Sequence, residues 1–186
     1  KVGGIYTVLS TRAKTLQDRI KDHIIFIGPD CWDDTSSPYF REDKSLFSVW
    51  QHTAAAEGLK IKVGRWTIPD EPVAILVDFQ SYFQQKDDIY GKLWEYYQVD
   101  SLHAYGDYDD SAMFSYATAL VVESFYKFYL SEKDKVVFHA NEWQTGFAAL
   151  ELQRRLPQIA SIFTTHATCI GRSIAGNNKP LYEYLW

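Results

Sequence analysis

Short runs rich in β-branched and aromatic residues alternate along this chain with longer stretches whose apolar residues recur every three or four positions. That alternation predicts an α/β domain, a Rossmann-like and largely parallel sheet flanked by helices. Strands are expected at residues 24–28, 59–66, 73–79, 136–139 and 159–164. The second alternates apolar and polar side chains, whereas the others are continuously apolar, as strands covered on both faces are. Helices are expected at residues 5–20, 45–57, 89–97, 111–130 and 145–156. Pro29, Pro38, Pro69, Pro72 and Pro157 fall between these elements, where a missing N–H does least harm. No internal repeat or linker divides the chain, so residues 1–186 read as a single domain.

Charge and composition exclude several classes of function. The formal charge is −5 and no stripe of Lys and Arg is present, which argues against nucleic acid as a partner. The longest apolar runs fall far short of the roughly 20 residues of a membrane span. Cys31 and Cys169 stand far apart without metal-ligand spacing, which points to a reducing compartment and a cytoplasmic location. The aromatic share, 16%, exceeds what a small core needs and fits sugar platforms as well as packing. Because the chain opens on Lys1 rather than Met, it is expected to be a piece of a longer protein.

Three segments carry residues suited to chemistry. Lys1, Gly3 and Gly4 precede the first helix, where bare backbone and free N–H groups favour an anion such as phosphate; a plain turn is the alternative. His139, Asn141, Glu142 and Trp143 follow the fourth strand, at the edge where open α/β sheets bind ligands. There Asn141 or Glu142 is also a candidate helix cap, and Trp143 a packing residue. Thr164, Thr165, His166, Ala167 and Thr168 end the fifth strand, with Gly171 and Arg172 close behind. His166 reads as a general base, a donor to substrate hydroxyls, or a histidine satisfied within the core. Asp107, Asp109 and Asp110 read as a solvated cap of the following helix or, alternatively, as a catalytic pair. GxGxxG, Walker, GxSxG and zinc spacings are all missing from the sequence, so a nicotinamide cofactor, a P-loop, serine hydrolysis and a metal centre have no support.

Taken together, KVGGIYTV at residues 1–8, GRW at 64–66, HANEWQTG at 139–146, FTTHAT at 163–168 and Gly171-Arg172 resemble the eukaryotic-type glycogen synthases in order and spacing. The resemblance runs through essentially the whole chain, and FTTHAT with Gly171-Arg172 is its most specific part. It implies the N-terminal half of a two-domain GT-B glycosyltransferase, which passes glucose from UDP-glucose, or from ADP-glucose, to an α-1,4-glucan such as glycogen with retention of configuration. No cofactor or metal is implied. Residue by residue, it places Gly3, Gly4, Lys1 and Arg172 toward the donor, His166 and Glu142 at the catalytic centre, and Asn141 and Trp143 in the acceptor or sugar pocket.

The family's catalytic glutamate motif, most of its nucleotide-binding residues and its glucose 6-phosphate sensor belong to a C-terminal half that this sequence does not include, so these residues alone are expected to be inactive. The family also has a strand ahead of the KVGG loop; without it, open strand edges favour a homo-oligomer. Two other classes stand beside the enzyme. One is a carbohydrate-binding or scaffold domain without turnover, which would keep Trp66, Trp94 and Trp143 but has no use for a phosphate-facing loop. The other is a sugar-phosphate hydrolase or epimerase, which needs a carboxylate or metal constellation that the sequence lacks.

Overall fold

The apolar run Val73–Asp78 forms β4, which lies at the centre of the larger sheet in a computed structural model describing residues 3–32 and 37–184. β1 (Ile25–Pro29) pairs with it in parallel, Ile25 opposite Val73 and Pro29 opposite Val77. On its other side β3 (Lys60–Trp66) runs antiparallel, and β2 (Phe40–Glu42) follows antiparallel to β3. The sheet is therefore mixed, where a largely parallel one was expected. The reason lies in the connections: only residues 67–72 separate β3 from β4, whereas a parallel crossover needs a dozen or more residues. The alternating pattern of residues 59–66 suits such a half-covered strand. Gly64 is required by the third strand's neighbour, since a Cβ there would lie 2.2 Å from the Arg41 carbonyl oxygen.

A second, two-stranded sheet pairs β5 (Val137–Asn141) with β6 (Ala160–Thr164) in parallel, with Asn141 opposite Thr164. Among the described residues, β1 and β5 each present one edge to no other strand.

The helices are α1 (Gly3–Ile20), α2 (Ser48–Ala56), α3 (Lys86–Tyr97), α4 (Tyr108–Tyr129), α5 (Trp143–Arg155) and α6 (Cys169–Gly176). The five expected strands and five expected helices all form, with ends displaced by at most three residues. β2 and α6 were not foreseen. α4 carries buried residues around much of its circumference and serves two cores. Met113, Ala117 and Val121 join Trp50, Val63, Ile75 and Leu93 against the larger sheet. Ala119 and Tyr126 pack with Ala148, Leu152 and Leu156 beneath the smaller one. Trp50 donates its indole N–H to Ser124 Oγ at 3.0 Å, so the largest buried ring also satisfies its polar atom. Buried Glu151 accepts from Arg154 and Arg155, and Arg155 also reaches Glu123, fastening α5 to α4.

Candidate active site

β5 and β6 end side by side, and the chain leaves β5 through Glu142. Its backbone adopts φ 68° and ψ 168°, a region that residues other than glycine avoid at a cost of about 1–3 kcal/mol. Three features hold it there. The Glu142 N–H donates to the Thr164 carbonyl at 2.8 Å, continuing the β5–β6 pairing by one residue. Glu142 Oε2 accepts the Trp143 N–H at the start of α5. Glu142 Oε1 accepts the N–H of His166 and, at 2.8 Å, that of Ala167. With only 6% of the residue exposed, these N–H groups stand in for water. They keep the carboxyl below its ordinary pKa, the His166 N–H contributing most and the Ala167 and Trp143 N–H groups adding to it against the opposing effect of burial. Glu142 is thus held ionised, with both oxygens engaged by main chain.

The loop fixed in this way begins at Thr164 and ends where Thr168 caps α6, its Oγ1 accepting the Gly171 N–H at 3.0 Å. His166 itself is exposed. Beneath it, His139 Nε2 bonds Thr164 Oγ1 at 2.8 Å. Burial, then the charge of Arg12 and that of His166, push the His139 pKa down, favouring the neutral ring. Two buried side-chain oxygens flanking Glu142, Asn141 Oδ1 and Gln144 Oε1, have no hydrogen-bond partner among the described residues. Trp143 is 44% exposed and lies parallel to Tyr108, ring centroids 6.1 Å apart.

His166, Glu142 and Asn141 therefore lie together at the ends of β5 and β6, joined by His139 and Thr164, whereas the Trp143 ring stacks on Tyr108 and lines a separate pocket with Leu93, Phe147 and Phe163. Arg172 lies exposed on α6, one turn beyond the His166 loop, with its N–H on the Thr168 carbonyl. Gly3 and Gly4 form the first turn of α1 rather than a loop ahead of it, and space over Gly4 is open. Lys1 lies outside the described residues. Asp109 is neither a free cap nor half of a catalytic pair: it accepts from Lys86 at 2.8 Å and from Tyr90 at 2.6 Å, tying α3 to α4. Sequence reasoning missed Arg12, which reads as one more polar-face residue of a long helix. It also missed the cap at Thr168, although a threonine ahead of Ile170 and Ile174 was a usable signal. Among the described residues no three His, Cys, Asp or Glu side chains converge as a metal site, and no helix is long and apolar enough to cross a membrane.

A carboxylate-anchored histidine loop at the carboxyl ends of two parallel strands lies where open α/β sheets bind their ligands. Comparison with known proteins narrows the class. The family model for glycogen synthase matches residues 1–186, and the chain belongs to that family. It is 29% identical over 188 residues to a glycogen [starch] synthase of Caenorhabditis elegans, covering all of this chain and 28% of that protein. Against the liver glycogen [starch] synthase of Homo sapiens the identity is 30% over 188 residues, with 100% and 26% covered. For glycogen [starch] synthase isoform 2 of Saccharomyces cerevisiae it is 28% over 189 residues, with 96% and 26% covered. The chain thus spans little more than a quarter of the length of these three relatives.

Proposed function

We propose that the full-length protein transfers glucose from a sugar nucleotide, UDP-glucose rather than ADP-glucose, to the non-reducing end of an α-1,4-glucan with retention of configuration, in the cytoplasm. The bond between glucose C1 and the diphosphate oxygen breaks, and a bond from C1 to the acceptor's O4 forms on the same face. The acceptor's proton passes to the departing phosphate oxygen, so no carboxylate nucleophile is required of this domain. The observation that supports this most is the strained, amide-bound Glu142, because backbone strain of this kind persists where a site must hold one geometry.

In this reading His166 meets the transferred glucose through its ring or its backbone carbonyl, at the carbon that gains positive charge in the transition state. Glu142 works on the loop that carries His166 rather than on the sugar. Asn141 and Trp143 belong to the acceptor or sugar pocket, Trp143 offering it an apolar face. The N-terminal turn at Gly3 and Gly4, together with the charges of Lys1 and Arg172, serves the diphosphate, where helix N–H groups and cations offset the charge of the leaving group without a metal. The test is incorporation of labelled glucose from UDP-glucose into glycogen by the full-length protein. Transfer supports the enzyme; glycogen binding without transfer from either nucleotide favours a binding or scaffold domain.

A further inference from the structure

His139 and Thr164 share one face of the β5–β6 pair, since His139 lies opposite Ile162, Thr164 lies opposite Asn141, and side chains alternate along a strand. The His139 ring reaches diagonally to the Thr164 hydroxyl, Nε2 to Oγ1 at 2.8 Å. Thr164 is the root of the His166 loop: its carbonyl takes the Glu142 N–H at 2.8 Å, and His166 follows two residues later. A ring inside the strand thus holds the residue from which the loop departs.

The charges around that ring oppose a proton on it. From α1 comes Arg12, half-buried, whose guanidinium has no carboxylate partner among the described residues. From the loop after β6 comes His166, a second group of the same sign once protonated. Glu142, the carboxylate at the end of the same strand, is engaged by the N–H groups of Trp143, His166 and Ala167. An imidazolium at His139 would be a half-buried cation among cations, and burial and these two neighbours already press the ring toward its neutral form. The chemistry adds a second reason. In the transferase reading glucose C1 gains positive charge beside His166, and a further cation behind the loop opposes that charge. Protonation also reverses the bond: a neutral ring with its proton on Nδ1 accepts the Thr164 O–H at Nε2, whereas an imidazolium has only N–H to offer and turns that hydroxyl away.

We propose that His139 is a positioning residue: as a neutral ring it fixes Thr164, and with it the departure of the His166 loop, and its protonation releases the loop and slows transfer. The inference rests on the transferase reading and deepens it by adding a group that acts through Thr164 rather than on the sugar. The test follows two quantities in the full-length protein between about pH 5 and 8: kcat, and amide exchange at His166 and Ala167 corrected for the intrinsic effect of pH. In the wild type, kcat and the protection of both amides are expected to fall together, roughly three- to tenfold, as pH drops below about 6.5. His139→Gln keeps a hydrogen-bonding group that takes up no proton in this range, and should lose both falls. Arg12→Gln removes a charge that opposes protonation, and should move both falls to higher pH. A fall in kcat that persists in His139→Gln belongs to another group, His166 foremost, and overturns the inference. So does a fall that Arg12→Gln leaves in place, or amide protection that stays flat in the wild type. If His139→Gln does not fold, Arg12→Gln, which touches no bond of the β5–β6 pair, decides alone. If the wild-type protein transfers nothing, the transferase reading fails while amide exchange still decides the role of His139.

Discussion

The carboxylate of Glu142 accepts the main-chain N–H of His166, 24 residues further along the chain, and the same oxygen takes the N–H of Ala167. One side chain at the end of β5 thereby sets the path of the loop leaving β6. Charge-assisted bonds of this kind are stronger than neutral ones, and three donors on one carboxylate leave it no proton to exchange. Glu142→Gln keeps the size but places an NH2 where an N–H must be accepted. In the full-length enzyme it is expected to lower kcat about 100-fold, the scale of a small misplacement at a reacting centre. Hydrogen exchange should quicken at the amides the carboxylate holds, those of His166, Ala167 and Trp143, and not in the rest of the domain. Glu142→Gly relieves the backbone strain but should lose as much activity, which separates the loop's stability from its alignment.

His166→Ala is expected to lower kcat by roughly 100-fold while changing the donor KM little, since its contacts strengthen only as charge develops at the sugar. Gly4→Val should instead raise the donor KM, because it fills the open space over the first turn of α1. Steady-state kinetics of the two variants side by side give the comparison, and equal loss of both parameters in both variants would contradict these roles.

Acid should loosen this loop before it unfolds the domain. The Glu142 pKa is lower in the folded state than in the unfolded chain, so its contribution is complete above the ordinary glutamate value of about 4.3 and disappears as pH falls toward the depressed one. His139 acts in the same direction at higher pH. Its lowered pKa contributes fully above about 6.5 and less as pH falls below that value. Arg12→Gln removes one of the charges that oppose protonation of His139 and should raise its pKa, read from the ring proton shifts in an NMR titration. No change would place Arg12 out of its reach.

Two glycine substitutions should move stability in opposite directions. Gly64→Ala drives a methyl into the Arg41 carbonyl across the β2–β3 pair and is expected to destabilise by about 1–3 kcal/mol. Gly91→Ala, in the exposed interior of α3 with nothing within 4 Å of the new methyl, should stabilise by about 0.5–1 kcal/mol. Chemical denaturation of the two proteins reads both.

Glu151 is buried and bonded to two arginines, and Glu151→Ala leaves Arg155, itself largely buried, with Glu123 as its one remaining carboxylate beside the Tyr116 hydroxyl and ring. The expected cost is about 3 kcal/mol. Because α5 begins at Trp143 and packs on α4 through this cluster, the loss should be seen in thermal unfolding with the chemistry at His166 retained below the transition.

Elements with a strong period, such as the 22-residue α4 and the apolar β4, were legible in the sequence because their own side chains decide them. β2 was not: three residues, Phe40–Glu42, pair only because Gly64 lets β3 come close, and that relation spans more than twenty positions. The antiparallel run of β3 was implicit in the short connection at residues 67–72, a length that rules out a crossover. At the site, the convergence of His166, Glu142 and Asn141 followed from strand ends lying together. The direction of the Glu142 carboxylate, toward backbone rather than substrate, depends on a positive φ that no residue type announces for glutamate.

The most direct test of the whole account is to incubate the full-length protein with maltoheptaose and UDP-glucose labelled at C1, and to read the new linkage by NMR. The account predicts an α-1,4-linked glucose at the non-reducing end, formed by the wild-type protein and about 100-fold more slowly by Glu142→Gln. A β-linked product, or no linkage from a well-folded protein with either UDP-glucose or ADP-glucose, would contradict it.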